Sequence, residues 1–323
     1  MPEIDQLQDR IAGVMLGTAV GDALGVPYEY STPPGPKQDA AMLGGGLGNF
    51  APGEWSDDTA MAVAVARVAA TGADLRTTAA LDAIAEGFLE WYDQGPADIG
   101  KQTQAVLSDT RRRLHLGDPG TSQVMYEAAE RYSRHHAHSA GNGAVMRTAA
   151  VALAHLDDRE ACAEAAQAIA RLTHADPLAA DSCVVWSEAI RVAIVDGTIR
   201  LDAGLDLVPE ERRDTWATWL SDAMSPTLEL VPGRRFTPNG YTVTAVQAAV
   251  AAVTLTPAPD RSHLAAALHA AVRIGNDTDT VAAIAGGLLG ARWGASAVPT
   301  QWRAAVHGWP GLTGEDLVTL AAR

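Results

Sequence analysis

The sequence predicts an all-α protein, and three observations lead to that fold class. Hydrophobic residues make up 47% of the 323 residues but aromatic residues only 5%, so alanine, valine and leucine must fill the core. Alanine-rich segments favour helix, and apolar residues recur at helical spacing along most of the chain. Segments with the strict apolar–polar alternation of a half-buried strand are nearly absent.

Helical periodicity places the elements in order along the chain. The segments with this period are residues 5–25, 56–71, 77–94, 143–156, 158–173, 175–197, 241–256 and 262–275, followed by the apolar run after Thr280. The segments without it are roughly 26–55, 93–103, 133–143, 230–240 and 274–280. Because loops on a rigid helical scaffold commonly carry the chemistry of a protein, we expect the functional residues in these intervals.

Two of the predicted helices carry glycine at helical spacing. Each glycine costs a helix about 1 kcal/mol relative to alanine, so a repeated stripe needs a packing reason. The glycines are Gly13, Gly17, Gly21 and Gly25 in the first helix, and Gly286, Gly287 and Gly290 near the other end of the chain. A face without side chains lets another helix approach closely, and we expect these two helices to pack against each other.

Bulk properties narrow the classes of partner. The net charge of −15 disfavours broad binding to nucleic-acid phosphates. Two cysteines, Cys162 and Cys183, do not make a disulfide framework and favour a reducing cytoplasm. The polar, acidic N-terminus is unlike a signal peptide, and the apolar window 241–256 is too short to span a membrane. We therefore expect a cytoplasmic protein with no nucleic-acid or membrane partner.

Two acidic clusters stand directly before apolar helices. Either cluster alone could be a helix cap, because serine and aspartate are good N-caps and carboxylates suit the positive end of a helix dipole. Their similarity favours a second interpretation, in which both line one site. The residues are Ser56, Asp57 and Asp58 in the first cluster and Asp277, Asp279 and Thr280 in the second.

Convergence of these clusters in a helical core would require cations. Four aspartates brought together would repel one another and lose hydration unless positive charge is present. Ligands that offer only oxygen select hard ions such as Mg²⁺ or Mn²⁺. Four carboxylates suit two metals about 3.5–4 Å apart, an arrangement that can bind and polarise a water molecule. The sequence therefore predicts a binuclear metal site.

Six distinctive segments follow one another along the chain: "GVMLGTAVGDALGVPYE", "WSDDTAM", "PADIGKQTQAVL", "SAGNGAVMR", "THADPLA" and "GNDTDTVAAIAGGLLGA". In this order they resemble the ADP-ribosylglycohydrolase family, and in particular the branch that contains dinitrogenase reductase-activating glycohydrolase. The matches span residues 12–291, nearly the whole chain. A single SDDT would be a weak match, whereas the ordered set is specific.

The resemblance implies a compact, orthogonal multi-helix domain over residues 1–323 with two Mg²⁺ or Mn²⁺ ions. By position it assigns metal ligation to Ser56, Asp57, Asp58, Asp277, Asp279 and Thr280. It places Glu29 over the metal site on a mobile loop and Asp98 against a substrate guanidinium. It assigns substrate binding to Gly100, Ser139, Asn142, Gly143, His174 and Tyr241. Ser56 stands where threonine is more usual, which keeps the hydroxyl.

The glycine loop in "HSAGNGAVMRTAA" offers a way for an acidic chain to bind a pyrophosphate. Backbone amides at a helix N-terminus form a ready anion site, and we expect residues 139–143 to serve that purpose. The alternative is a simple turn and cap. His174 alone could equally be a structural histidine, and within the family pattern it becomes a contact on the substrate side.

The function implied by the resemblance is hydrolysis of the glycosidic bond between ADP-ribose and an acceptor. Cleavage at the anomeric carbon passes through an oxocarbenium-like transition state. Asp98 could hold a protonated guanidinium in a bidentate pair, which favours ADP-ribosylarginine on proteins as the substrate. Glu29 could act as a base or orient the ribose. Two alternatives stay open: an O-linked substrate such as ADP-ribosylserine or O-acetyl-ADP-ribose, and a silent member that only binds ADP-ribose.

Overall fold

Helices account for nearly all the regular structure, as the composition predicts. The computed structural model describes residues 2–115 and 120–322, and within them fourteen α-helices and one short β-hairpin are present. The first seven helices are α1 (Pro2–Gly25), α2 (Asp57–Ala69), α3 (Thr78–Asp93), α4 (Lys101–His115), α5 (Thr121–His135), α6 (Val151–Ala154) and α7 (Arg159–Arg171).

The second half of the chain continues the pattern. The helices are α8 (Pro177–Asp196), α9 (Glu210–Met224), α10 (Thr242–Thr254), α11 (Ser262–Ile274), α12 (Thr278–Trp293), α13 (Thr300–Ala305) and α14 (Gly314–Ala321). Between α13 and α14, β1 (His307–Gly308) pairs antiparallel with β2 (Leu312–Thr313). Short 3₁₀ helices occupy Val26–Tyr28, Val145–Ala150, Leu205–Leu207, Arg234–Phe236 and Ala295–Ala297.

The glycine stripes pack as expected. A Cβ at Gly17 would overlap the carbonyl oxygen of Gly286, and one at Gly290 would overlap that of Gly13. At the far end of the stripe, a Cβ at Gly25 would overlap the backbone of Asp279. Helices α1 and α12 therefore meet backbone to backbone, and this places the end of α1 beside the beginning of α12.

One predicted helix is wrong in its first half. Residues 143–156 carry helical periodicity, but Val145–Ala150 form a 3₁₀ helix and only Val151–Ala154 form an α-helix. All six residues of the 3₁₀ helix are buried, among them Arg147 and Thr148, and polar groups buried at this depth must be satisfied by the surrounding elements. Tertiary packing therefore overrides the local preference for an α-helix.

A single hydrophobic cluster extends through the bundle, from Ile11 in α1 to Ala321 in α14. The segment Gln6–Tyr28 is long and apolar enough by length and composition to cross a membrane, yet 89% of its most apolar window is buried inside the fold. Its apolar character follows from its place in the core, between the elements that surround α1.

The loop before the first acidic cluster is tied to the β-hairpin. Trp55 N–H donates to the carbonyl of His307 at 3.0 Å, and His307 N–H donates to the carbonyl of Gly53 at 3.1 Å. Trp55 itself is buried. These contacts hold the chain immediately before Ser56, so that the first turn of α2 begins at a defined place.

Candidate active site

The two acidic clusters converge at the N-termini of α2 and α12. Thr280 Oγ1 donates to Asp58 Oδ2 at 3.3 Å, and Ser56 Oγ donates to the same oxygen at 3.1 Å. Ser56 and Asp277 occupy the N-cap positions of their helices, but neither side chain accepts a hydrogen bond from a helix N–H. The capping interpretation therefore does not describe these clusters, whose polar atoms are directed toward one another.

The α12 half is held from outside its own helix. Asp277 Oδ2 accepts from Asn142 Nδ2 at 2.9 Å and from the Tyr30 hydroxyl at 3.2 Å. Asp277 N–H donates to Asn239 Oδ1 at 2.9 Å. The preceding Asn276 has a φ of 69°, a left-handed conformation in which asparagine is more common than most residues. Side chains from two loops thus fix the orientation of this carboxylate, and a third loop holds its backbone.

Sequence reasoning missed Asp22, which lies on α1 and is fully buried. Its Oδ1 accepts from Ser56 N and Ser56 Oγ at 2.9 and 2.8 Å. Its Oδ2 accepts from Thr59 N and Thr59 Oγ1 at 3.0 and 2.6 Å. Because four donors already occupy its two oxygens, Asp22 positions the start of α2. A signal was available: Asp22 is the only charged residue between Arg10 and Glu29.

The cluster is strongly perturbed by burial and by its own charges. Loss of hydration, and after it the carboxylates of Asp277, Asp98 and Asp57, together raise the pKa of Glu29 to about 9. Burial likewise raises the pKa of Asp57 to about 8. The pKa values of Asp58 and Asp279 lie well above their ordinary range, again chiefly through burial. Such a set of acids in one place is typical of a functional site.

The residues fit divalent cations. Asp58 Oδ1 is buried and has no hydrogen-bond partner among the described residues, although buried polar atoms are almost always paired. Two sets of carboxylates, each with oxygens within 4.8 Å of one another, are present in the described part of the chain: Asp22, Asp58 and Asp279, and Glu29, Asp277 and Asp279. Oxygen donors alone, in this number, suit Mg²⁺ or Mn²⁺.

A cavity of about 650 Å³ opens over the acidic cluster. Most of the residues predicted from sequence line it, from both the metal set and the substrate set. They are Asp57, Asp277, Asp279 and Thr280, with Glu29, Asp98, Gly100, Asn142, Gly143 and His174. Ser56 and Asp58 lie behind this lining, at 2% and 1% exposure. Gly100 N–H donates to Asp57 Oδ2 at 3.4 Å, which links the segment after Asp98 to the acids.

Two predicted substrate residues lie to one side. Ser139 and Tyr241 line an adjoining cavity of about 530 Å³, which shares His138, Gly141 and Gly240 with the first. Ser139 Oγ is within hydrogen-bond distance of Ser133 Oγ at 2.9 Å. The structure therefore places these two residues next to the acid-lined cavity, in a space that continues from it.

The glycine loop does not form the helix N-terminus that the sequence indicated. Asn142 N–H donates to the carbonyl of Gly240 at 3.1 Å, so this amide is already engaged by protein. The residues that follow, Val145–Ala150, are a 3₁₀ helix. Gly141 and Gly143 instead leave room for the imidazole of His174, whose Nε2 would lie 3.2 and 3.3 Å from a Cβ at those positions.

A family model described as ADP-ribosylglycohydrolase matches residues 3–323. The chain belongs to the ADP-ribosylglycohydrolase family. Its members are hydrolases of ADP-ribosyl groups, and this protein is accordingly an enzyme of that class. The match extends over almost the whole chain, including α13 and α14, which lie beyond the segments that carried the resemblance in the sequence.

Similar proteins point the same way. The chain is 28% identical to an ADP-ribosyl-[dinitrogen reductase] glycohydrolase of Rhodospirillum rubrum, over 92% of this chain and 90% of that one. It is 26% identical to the ADP-ribosylarginine hydrolase Tri1 of Serratia proteamaculans, over 94% of this chain and 76% of that one. A solved structure titled ADP-ribosylglycohydrolase-related protein complex superimposes with a TM-score of 0.69 at 27% identity, covering 98% and 97% of the two chains. These findings confirm the family and the fold class.

Proposed function

We propose that this ADP-ribosylglycohydrolase cleaves the N-glycosidic bond of ADP-ribosylarginine on proteins and releases ADP-ribose, with two Mg²⁺ or Mn²⁺ ions. The observation that carries the proposal is the position of Asp98, which lines the same cavity as the acidic cluster. Two curated relatives support the linkage: one is named as an ADP-ribosylarginine hydrolase and the other as a glycohydrolase of ADP-ribosyl-dinitrogen reductase.

Ser56, Asp57, Asp58, Asp277, Asp279 and Thr280 would hold the ions. When bound, the ions would neutralise the carboxylates, bind ribose oxygens and polarise a water molecule. Positive charge would also oppose the pKa increases of Glu29 and Asp57, which reflect burial and mutual repulsion in the protein alone. These acids would therefore be ionised in the working enzyme.

The remaining tasks fall to side chains that line the cavity. Asp98 would accept hydrogen bonds from the guanidinium of the modified arginine and keep it protonated, so that it can leave. Ile99 N–H donates to Asp98 Oδ1 at 2.9 Å and orients this carboxylate. Glu29, which lies beside Asp277 and Asp279, would orient the ribose or accept a proton from the attacking water. By holding the guanidinium and the ribose in fixed positions, these side chains would lower the entropic cost of reaching the transition state.

The test is release of ADP-ribose from arginine-, serine- and acetyl-linked substrates, assayed side by side. We expect hydrolysis of the arginine substrate with Mg²⁺ or Mn²⁺, and at least a 100-fold loss of kcat in Asp279→Asn or after metal removal with EDTA. Asp196→Asn, which changes an exposed acid at the end of α8, is the matched control and should retain full activity.

Asp98→Ala decides the linkage. If the arginine reaction falls at least about 10-fold while the control is unchanged, Asp98 recognises the guanidinium. If arginine turnover is untouched and a serine- or acetyl-linked substrate is preferred, the O-linked alternative is correct. Tight binding of ADP-ribose without turnover of any of the three substrates would indicate a silent binding protein, and full activity in EDTA would contradict the metal requirement.

A further inference from the structure

Arg147 is an unusual residue in this fold, because its guanidinium is fully buried and has no carboxylate partner in the described part of the chain. It lies 4.5 Å above the centroid of the Phe88 ring. Burying a charge without an opposite charge beside it costs free energy. The cost suggests that the hydrogen bonds of this guanidinium have a role. The hydrogen bonds of Arg147 lead toward the substrate cavity.

Four acceptors receive hydrogen bonds from the guanidinium, one of them the Met61 sulfur, which lies 3.7 Å from Nη1. Nη1 donates to the carbonyl of Gly143 at 2.9 Å, directly beneath the glycine loop. Nη2 donates to the carbonyl of Ile169 at 3.2 Å and to Thr173 Oγ1 at 2.7 Å. Arg147 thus links the loop on one side of the cavity to the end of α7 on the other.

The next contact passes from Thr173 to His174. Thr173 Oγ1 is 2.8 Å from His174 Nδ1, and both residues are buried. Guanidinium groups only donate, so Thr173 Oγ1 must be the acceptor toward Arg147. Its own proton then points to the remaining partner that the described residues offer, the lone pair of His174 Nδ1. An imidazole that accepts at Nδ1 carries its proton on Nε2.

The other side of the ring faces the cavity. His174 lines it, with Nε2 beside Gly141 and Gly143, and neither backbone nor side-chain atoms of the described residues hydrogen-bond to Nε2. We propose that Arg147 is a positioning residue, which through Thr173 fixes His174 in the Nε2–H tautomer. This inference rests on the proposed function: the neutral Nε2–H group would donate to an anionic oxygen of the ADP-ribosyl group.

The neutral state of the ring agrees with this arrangement. Burial, and after it the nearby Arg147 cation, together lower the pKa of His174 to about 3. The imidazole of His174 is therefore neutral near neutral pH. Only its tautomer decides whether Nε2 presents an N–H or a lone pair to the cavity. With a lone pair there, an anionic oxygen would be repelled. Arg147 and Thr173 thus determine that His174 presents a hydrogen-bond donor, and not an acceptor, to the cavity.

The tautomer can be measured without any reaction. Long-range ¹H–¹⁵N correlation spectra of the metal-loaded protein distinguish Nε2–H from Nδ1–H imidazoles, and the His174 signals are assigned by their loss in His174→Gln. We expect an Nε2–H ring whose shifts stay constant between pH 5 and 8. An Nδ1–H or protonated ring in the wild-type protein would overturn the proposal, whether or not the variants fold and whatever the substrate is.

Two matched variants test the link to binding. Thr173→Val keeps the shape but removes the hydroxyl, whereas Thr173→Ser keeps the hydroxyl and serves as the rescue. We expect Thr173→Val to shift His174 toward Nδ1–H and to weaken calorimetric binding of ADP-ribose at least about 10-fold, with Thr173→Ser near wild type.

Other results of the same experiments would contradict the proposal. An unchanged tautomer in Thr173→Val would contradict the relay, and a changed tautomer with unchanged ADP-ribose affinity would contradict the role in binding. Failure of the wild-type protein to bind ADP-ribose would count against the proposed function, while the spectra would still decide the relay.

Discussion

Helices α1 and α12 meet through glycine over the second half of α1, whereas near the end of this contact they meet around carboxylates. Gly13 and Gly17 face Gly290 and Gly286 with no side chain between the backbones. Beside the last two glycines of the stripe, Gly21 and Gly25, the buried side chains of Asp22 and Asp279 lie in the same interface. The first region is apolar and closely packed, and the second concentrates like charges that repel one another.

The difference shows how the bundle can maintain an unfavourable cluster. Like charges in a buried site would separate if the elements that carry them could move apart. Close backbone packing opposes this, because at the glycine positions α1 and α12 have no side chains between them that could adjust. The glycine region thus provides the rigid packing that keeps the carboxylates of the acidic region close together despite their repulsion.

Gly17→Ala should break the rigid region and give the largest effect. Its Cβ would overlap the Gly286 carbonyl and crowd Gly290, so the helices must separate. We expect a loss of about 3 kcal/mol or more in the free energy of unfolding and, for a chain of this length, a fall in Tm of roughly 5 °C or more. Gly35→Ala is the control, since its Cβ would meet only the flexible Gln38 side chain, at 3.3 Å. Equal stability of both variants would contradict the rigid packing.

Asp22→Asn probes the junction between the two regions. The amide would replace one acceptor with a donor, opposite the hydrogen bonds that Ser56 and Thr59 now give. We expect about 10- to 100-fold weaker metal binding by calorimetry, because the start of α2 would lose its orientation. Asp196→Asn should bind metal normally. If Asp22→Asn also binds normally, Asp22 does not position the cluster.

The pH dependence of the metal-free protein should show the smallest effect. Glu29 and Asp57 have folded pKa values of about 9 and about 8, above ordinary values of 4.5 and 3.8. The folded state therefore binds their protons more tightly, and this contribution to stability is lost as pH rises toward 9. In EDTA we expect Tm to fall by roughly 5 °C between pH 6 and pH 9.

Two comparisons check the cause of that fall. Excess Mg²⁺ should reverse it, because metal binds the ionised carboxylates. Asp57→Asn in EDTA should have a shallower dependence than the wild-type protein. A flat Tm over this range in EDTA would mean that the acids are not strained by their burial.

Periodicity and residue type were enough to predict much of this arrangement. The four-residue glycine spacing predicted the α1–α12 contact, and the two acidic clusters predicted a common site. Both signals are local: each depends on a few neighbouring residues whose side chains share one face or one helix terminus. The convergence of the two clusters could be predicted because two similar acidic motifs are most simply explained as two halves of one metal site.

Other parts depend on contacts between distant segments, which local patterns do not contain. Asp22 stands out as the one charge in an uncharged stretch, but its partners Ser56 and Thr59 are 34 and 37 residues away in the sequence. Arg147 lies in a segment with helical period, yet its bonds to Gly143 and Thr173 belong to a buried 3₁₀ helix. The amide of Asn142 was expected to serve an anion and instead donates to Gly240.

The contact between Gly25 and the backbone of Asp279 also bears on how the protein is made. The two helices that join there lie far apart in the sequence, so their pairing requires a long loop to close. During synthesis, α1 leaves the ribosome long before α12 exists. The intact acidic cluster can therefore form only after α12 has been synthesised, and metal uptake would mark the molecules in which α1 and α12 have paired.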